Sequence, residues 1–310
     1  MPENNSNPPI HVIIPTHTTR HLAPTLAGLA NQSRRPDAVV VTCDCESPDI
    51  ETLLRTWGNR LELPIIHTSR PHYNEARLNQ VRNNGFRALD KLGLLTAKRN
   101  PNQPIDENAR VIVLDGDTVL APTAVERHQQ MGMGFDLVIP YRVDLTPERT
   151  VDFTPEAIIR GQVDPEPTED DLAVLEVRHR RYVRQLWLKG LGLGKAHKPK
   201  IIGGHHSVSV SSYLEVNGYD ERYVGYGFDD DDLAKRIYRS GGTSVIAVRD
   251  IVAFHLYHPS RKPEKMARTE AYRRFRDRSL PARCERGFRY PIEQDEPVIK
   301  FFGPSAPYMG

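Results

Sequence analysis

The chain has 310 residues, 38% hydrophobic and 26% charged, with a net charge of +2. That length holds one large α/β domain or two small ones with a proper core, and the balanced charge excludes a globally basic nucleic-acid binder. No apolar run approaches the roughly 18 residues of a membrane-spanning helix, the start MPENNSNPPI lacks the regions of a signal peptide, and three cysteines make no disulfide framework, so a cytoplasmic protein with reduced thiols is expected.

Residues 1–9 read as a disordered tail. HVIIP (11–15) then predicts a buried strand, and Leu22, Leu26 and Leu29 recur at helical spacing. DAVVVTC (37–43) predicts a second strand, followed by a weaker helix over 49–57. In Cys43-Asp-Cys45 two thiols would share one face of an extended segment, but no further Cys or His lies nearby at metal-ligand spacing. LPIIH (63–67) is a third strand, and Leu78, Val81, Phe86 and Leu89 mark an amphipathic helix. A polar Pro/Asn insert (98–109) leads to VIVL, a helix near 122–131 and FDLVIP (135–140). Strands alternating with helices predict a mostly parallel, doubly wound α/β sheet. Such sheets bind ligands beyond the carboxyl ends of their strands.

Residues 145–200 are different material: an acidic, proline-bearing run, then a helix over about 169–188 ending in basic residues from Arg178 to Lys200. Its glycine-rich end, GLGLGKAHKPK, is expected to be mobile and could serve as a lid over bound ligand. A second block starts at 201, and RKPEKMARTEAYRRFRDR (261–278) predicts an exposed basic helix. The two basic segments suit a solvated surface, an anionic acceptor or an anionic membrane face.

Chemistry concentrates in three places. VIVLDGDTVLAP (111–122) ends a buried strand in Asp115-Gly116-Asp117, where hard carboxylate oxygens suit Mg²⁺ or Mn²⁺ and the glycine lets the backbone turn close to phosphate. VNGYDERYVGYGFDDDDLAKRI (216–237) places four successive aspartates, 229–232, before a helical pattern. A helix start tolerates one or two acids. Four repel one another unless a cation or proton intervenes, and repulsion raises one member's pKa, as a general base requires. AFHLYHP (253–259) ends an apolar strand with His255 and His258, either of which could ligate a metal as neutral imidazole.

Together these residues resemble a family 2 glycosyltransferase of the GT-A fold with a galactosyltransferase-type C-terminal region. VIIPTH resembles the family's first strand, VVVTCDCES its second, VRNNGFRAL its Arg-Asn-x-Gly helix and LDGD its DXD motif. The acidic stretch resembles NGFDE…GWGxEDxDLxxR, departing from it at Tyr226 and Asp229. The resemblance implies a Rossmann-like GT-A sheet with a smaller acceptor-side subdomain. The boundaries expected are 10–144 for nucleotide-sugar binding, 145–200 for a helical insertion, 201–260 for the acceptor and catalytic half, and 261–310 for the basic C-terminal region. It also implies Pro15, Thr16, Asp44, Arg82 and Asp115 on the nucleotide, and Asp117 and His255 on Mn²⁺ (or Mg²⁺), with His258 the alternative ligand. Asp230 falls on the catalytic base, Asp229, Tyr226 and Gly204 on the acceptor side, and Asp232 on orientation of the helix start.

The function implied is inverting transfer of a hexose from a UDP-sugar to a hydroxyl of a glycan or lipid-linked acceptor. Peripheral contact with the inner membrane face is the expected localisation beyond the cytoplasm, and no nucleic-acid partner is expected. Two alternatives differ in class. A nucleotidyltransferase would carry a glycine-rich basic loop after the first strand, where this chain reads PTHTTRH. A non-catalytic nucleotide-sugar-binding module would need no base.

Overall fold

The β-branched runs near the N-terminus become strands with every residue buried, as a sheet covered on both faces requires. The computed structural model describes residues 7–71, 77–95, 106–163, 166–225, 227–259, 269–292 and 296–305. In chain order the elements are β1 (Ile10–Pro15), α1 (Leu22–Ala30), β2 (Ala38–Thr42), α2 (Pro48–Arg60), β3 (Ile65–Ser69), α3 (Leu78–Lys91), β4 (Arg110–Leu114), β5 (Thr118–Leu120), α4 (Ala124–Gly132), β6 (Leu137–Ile139) and β7 (Val143–Asp144). Then follow α5 (Pro147–Asp152), α6 (Pro155–Ile159), α7 (Glu169–Gly190), β8 (His205–Ser209), α8 (Val210–Glu215), α9 (Asp229–Arg239), β9 (Ser244–Ile246), β10 (Ala253–His255), α10 (Glu270–Arg276) and β11 (Val298–Phe302).

An eight-stranded sheet has the order β11-β3-β2-β1-β4-β8-β6-β9. The β3-β2-β1-β4 core is parallel, whereas β8 and β11 run antiparallel to their neighbours. The parallel register brings the carboxyl ends of β1, β2 and β4 to one edge. Because β8 is reversed, its first residue, His205, pairs with Leu114, the last residue of β4. The glycines before β8 therefore arrive where the acids after β4 emerge. Strands β8 and β9, from the part of the chain read as a second half, complete this same sheet. A separate three-stranded sheet, β5-β10-β7, lies beyond that edge.

Strand β8 (HHSVS) carries no apolar pattern, yet all five residues are buried. Each of its histidines and serines makes a hydrogen bond inside, as burial demands. His206 donates from Nδ1 to the Ile202 carbonyl at 2.8 Å and accepts at Nε2 from the Tyr219 hydroxyl at 2.9 Å. His205 shares a 3.0 Å bond with His128, which meets Ser207 Oγ at 2.9 Å. Burial drives His205 and His206 down to about 3, so both are neutral.

The basic segment expected as one exposed helix over 261–278 is a seven-residue α10 within the described residues; 261–268 lie outside them. Ala271 and Phe275 are buried beside Tyr223 and Phe228, so the helix is anchored and only its outer side is solvated. Among the described residues no helix is long and apolar enough to cross a membrane.

Candidate active site

The small sheet assembles the first group. Strand β10 pairs antiparallel with β5 and parallel with β7, setting His255 opposite Thr118 on one side and Asp144 on the other. The Leu256 amide donates to the Asp117 carbonyl at 2.9 Å, fixing the acid's backbone to the strand end. Asp117 Oδ2 then lies 3.0 Å from His258 Nε2 and 3.6 Å from His255 Nε2. Among the described residues these three form the one group of His, Cys, Asp or Glu whose ligand atoms all lie within 4.8 Å of one another. The sequence left His255 and His258 as alternatives; the fold brings both to Asp117. Behind them, His255 Nδ1 meets Asp144 Oδ1 at 3.0 Å, which orients the ring and leaves Nε2 facing Asp117. Arg142 Nε holds Asp144 at 3.2 Å.

Electrostatics distinguish the two acids of the Asp-Gly-Asp turn. Burial disfavours the Asp117 carboxylate, but the hydrogen bond to His255 and the neighbouring imidazoles overcome this and hold its pKa below the ordinary range. For Asp115, burial and the Asp117 charge outweigh Arg82, Arg142 and His255, and its pKa is raised.

The second group meets the first across a pair of glycines. The Asp115 amide donates to the Gly204 carbonyl at 3.0 Å. A Cβ on Gly204 would run into the Asp115 carboxylate and come within 2.8 Å of Arg142 Nη1. A Cβ on Gly203 would run into the Asp230 carboxylate and come within 2.7 Å of Arg82 Nη2. One glycyl pair thus lies against both acids, and only residues without side chains fit between them. Gly204, expected on the acceptor side, sits against Asp115. Gly203 carries the contact with Asp230 and was not legible as a site residue.

Arg82, expected on the nucleotide side, is turned to the acid run. Only 1% exposed, it donates from Nη1 to Asp229 Oδ2 at 2.6 Å and Asp230 Oδ1 at 2.8 Å. Burial opposes its charge, and the surrounding Asp230, Tyr219, Asp229 and Asp115 overcome that, so it stays cationic. Its guanidinium lies 5.1 Å from the centre of the Tyr219 ring, whose hydroxyl is the one bonded to His206. Despite Arg82, burial and the charges of Asp229, Asp115 and Asp231 push the Asp230 pKa well above the ordinary carboxylate range.

The remaining motif residues are largely architectural. Asn83, on α3, accepts from the Tyr213 hydroxyl at 2.6 Å and the Tyr219 amide at 3.0 Å. It also donates to the Tyr219 carbonyl and to Glu221 Oε1, both at 2.9 Å. These bonds clamp the 217–221 loop onto α3. Gly85 lies against β1, where a Cβ would stand 2.6 Å from Ile13. At the start of α9, Asp232 bonds Arg236 at 2.7 Å and Tyr223 at 3.1 Å, and Arg236 caps the Val216 and Gly218 carbonyls. Asp232 therefore braces the helix. Asp231 is 3.9 Å from Lys198. Gly225 (φ 83°) and Gly227 (φ 103°) adopt left-handed backbone that only glycine takes readily; Tyr226 between them lies outside the described residues. Pro15 closes β1, Thr16 follows half-buried, and Asp44 lies buried two residues beyond β2, on the same edge as Asp115.

Comparison with known proteins fits this geometry. Residues 194–259 match the family model described as the N-terminal domain of galactosyltransferase. S. aureus TarS 1-349 in complex with UDP-GlcNAc superposes with a TM-score of 0.50 at 12% identity, over 86% of this chain and 64% of that one. The fold is that of a GT-A glycosyltransferase. A further structure of S. aureus TarS 1-349 gives a TM-score of 0.48 at 12% identity, over 79% of this chain and 60% of that one. This chain therefore spans less than two thirds of those TarS chains. No curated protein sequence matches it. In the GT-A frame, the matched stretch contains Gly203, Gly204, the acid run, His255 and His258, while Asp115, Asp117 and Arg82 lie outside it.

Proposed function

We propose that the protein is an inverting, divalent-cation-dependent glycosyltransferase that moves a hexose from a UDP-sugar to a hydroxyl of a glycan or lipid-linked acceptor. The observation that carries this reading is the meeting, across Gly203-Gly204, of the Asp115–Asp117 turn, whose second acid joins the His/His/Asp ligand cluster, and the half-buried Asp230 carboxylate of raised pKa. A carboxylate oxygen and two imidazole nitrogens within 4.8 Å suit Mn²⁺, which accepts both ligand types. Asp117, His255 and His258 would hold the ion, and Asp144 would keep His255 oriented. A bound divalent cation supplies Lewis-acid stabilisation of the charge growing on a departing diphosphate.

In the transfer step, the acceptor hydroxyl oxygen bonds to the anomeric carbon from the far face while the bond from that carbon to the diphosphate oxygen breaks. The hydroxyl proton passes to Asp230, and UDP carries away the electron pair. Asp230 suits the task because a base works best with its pKa nearer the working pH than an ordinary carboxylate's. Arg82 holds Asp230 through Oδ1, and Asp229 shares that guanidinium at the acceptor side. Pro15, Thr16, Asp44 and Asp115 lie along the strand edge where the nucleotide would rest. The crystallised TarS complex with UDP-GlcNAc supports a UDP-sugar as donor.

The test is UDP release from a panel of UDP-sugars, with Mn²⁺ and with chelator, using the intact chain and Asp230→Asn. Mn²⁺-dependent release that falls on the order of 10²–10⁴-fold in Asp230→Asn is expected; undiminished turnover in the variant removes Asp230 from the role.

A further inference from the structure

Helix α7 turns an unusual face to solvent. Its 22 residues start with Glu169, Asp170 and Asp171 behind the capping Thr168, and its far end is basic. Arg180, Arg184, Trp187 and Leu191 follow one another at helical spacing and all are exposed. Trp187 is 63% exposed, Leu191 54% and, in the following turn, Leu193 73%. Arg180 is paired with Glu176, but among the described residues no ion pair is made by Arg181, Arg184 or Lys195.

The same end of the helix meets the second basic segment. The His197 ring stacks edge-on to Phe275 of α10 with centroids 5.0 Å apart, and Arg273 and Arg276 project to solvent from that helix. Both segments also touch the acid run. Lys198 reaches Asp231, the Tyr238 hydroxyl donates to the Pro199 carbonyl at 2.8 Å, and Phe228, which precedes Asp229, packs on Phe275 with centroids 5.2 Å apart. Two basic stretches about 80 residues apart in sequence thus form one patch beside Asp229–Asp231.

We infer that the end of α7, the 191–197 turn and the outer side of α10 form a surface that docks on an anionic lipid bilayer. In this orientation the acid run opens toward an acceptor carried by lipid; that second half rests on the glycosyl-transfer reading. The three exposed apolar residues favour a bilayer over a free polyanion, which offers nothing for an indole and two leucines to enter. Indole and leucine side chains beside unpaired guanidinium and ammonium groups match the boundary between headgroups and acyl chains.

The test is sedimentation of the whole chain with phosphatidylcholine vesicles and with vesicles that also contain phosphatidylglycerol, with no donor present. In a Trp57→Phe background, Trp187 emission reports insertion. Binding to the anionic vesicles only, weakened by salt, with a blue shift of Trp187, is expected. Each basic residue near an anionic surface contributes about fivefold, so Arg181→Gln/Arg184→Gln/Lys195→Gln should lower partitioning on the order of 100-fold. Trp187→Ser/Leu191→Ser/Leu193→Ser should abolish it, with UDP binding unchanged as the sign of an intact fold. No sedimentation with anionic vesicles, or equal sedimentation of the variants, overturns the proposal. So does a self-associated species in solution that the apolar triple variant dissolves, since the occupant is then a second copy. Vesicle binding by a protein that releases UDP from no donor supports the surface and overturns the transfer reading beside it.

Discussion

Replacing Gly203 with alanine tests the packing on which the site depends. The added Cβ would stand 2.7 Å from Arg82 Nη2 and 2.8 Å from Asp230 Cγ, with the carboxylate oxygen closer still. Ordinary contact begins at 3.4 Å, so Arg82 must move by about 0.7 Å and the Asp230 carboxylate by more. Gly203 does not adopt left-handed backbone, so the effect is steric and not conformational. Neither neighbour gives way cheaply, because Arg82 is buried and shared with Asp229 at 2.6 Å. Overpacking of this kind destabilises by about 1–3 kcal/mol. A misplacement of about 1 Å at a reacting group lowers turnover on the order of 10²-fold, so a tenfold to 10²-fold loss is expected here. UDP release together with thermal melting measures both. Gly190→Ala, at the end of α7 with no atom within 4 Å of the new methyl, is the control and should leave turnover unchanged without lowering the melt. Wild-type turnover in Gly203→Ala would refute the claim that this glycine sets the Asp230 geometry.

Four other outcomes follow from the same contacts. Because Asp230 has a raised pKa, kcat/KM should fall as pH drops through a midpoint above the ordinary aspartate value of about 3.9, and this acid limb should vanish in Asp230→Asn. Because burial and the neighbouring acids outweigh the ion pair with Arg82, the stability sign is opposite to that of an acid with a lowered pKa: the Asp230 contribution is present at low pH and lost as pH rises through its raised pKa. Asp230→Asn should therefore melt higher than the parent at neutral pH, with the difference closing in acid. Asp144→Asn loosens the His255 ring from behind and should weaken Mn²⁺ binding about 10- to 100-fold by paramagnetic resonance titration, without loss of fold. Asn83→Ala leaves buried partners on the Tyr219 and Glu221 loop unpaired and should lower stability on the order of 3 kcal/mol, read from the urea midpoint.

The parallel core was legible because buried parallel strands are continuous apolar runs, and HVIIP, DAVVVTC, LPIIH and VIVL each became one of β1 to β4 within a few residues. Strand β8 was not, since its inward groups are histidines and serines satisfied by hydrogen bonds that no periodicity encodes. Strand β10 was expected before His255, but its partners β5 and β7 escaped for another reason: strands of two or three residues are too short to show alternation. With them went Asp144 and Arg142, whose part in orienting His255 arises only when β7 pairs with β10. The acids and histidines themselves stood out because polar residues directly after apolar strands are costly without a purpose. Arg82 was visible as a motif residue, but its direction was set by the docking of α3, where the Thr42 hydroxyl donates to the Val81 carbonyl at 2.8 Å and Asn83 clamps the 217–221 loop. Gly204 was expected on the acceptor side, and Gly203 could have been suspected as its neighbour before a polar strand; their closeness to two carboxylates depends on the reversal of β8.

A crystal of the protein soaked with UDP and Mn²⁺, with data collected at the manganese edge, tests the central claim most directly. The expected result is one anomalous peak bounded by Asp117, His255 and His258, with the UDP diphosphate against it and the uridine along the strand edge near Thr16 and Asp44. Manganese bound elsewhere, or UDP resting away from the Asp115–Asp117 turn, would contradict it.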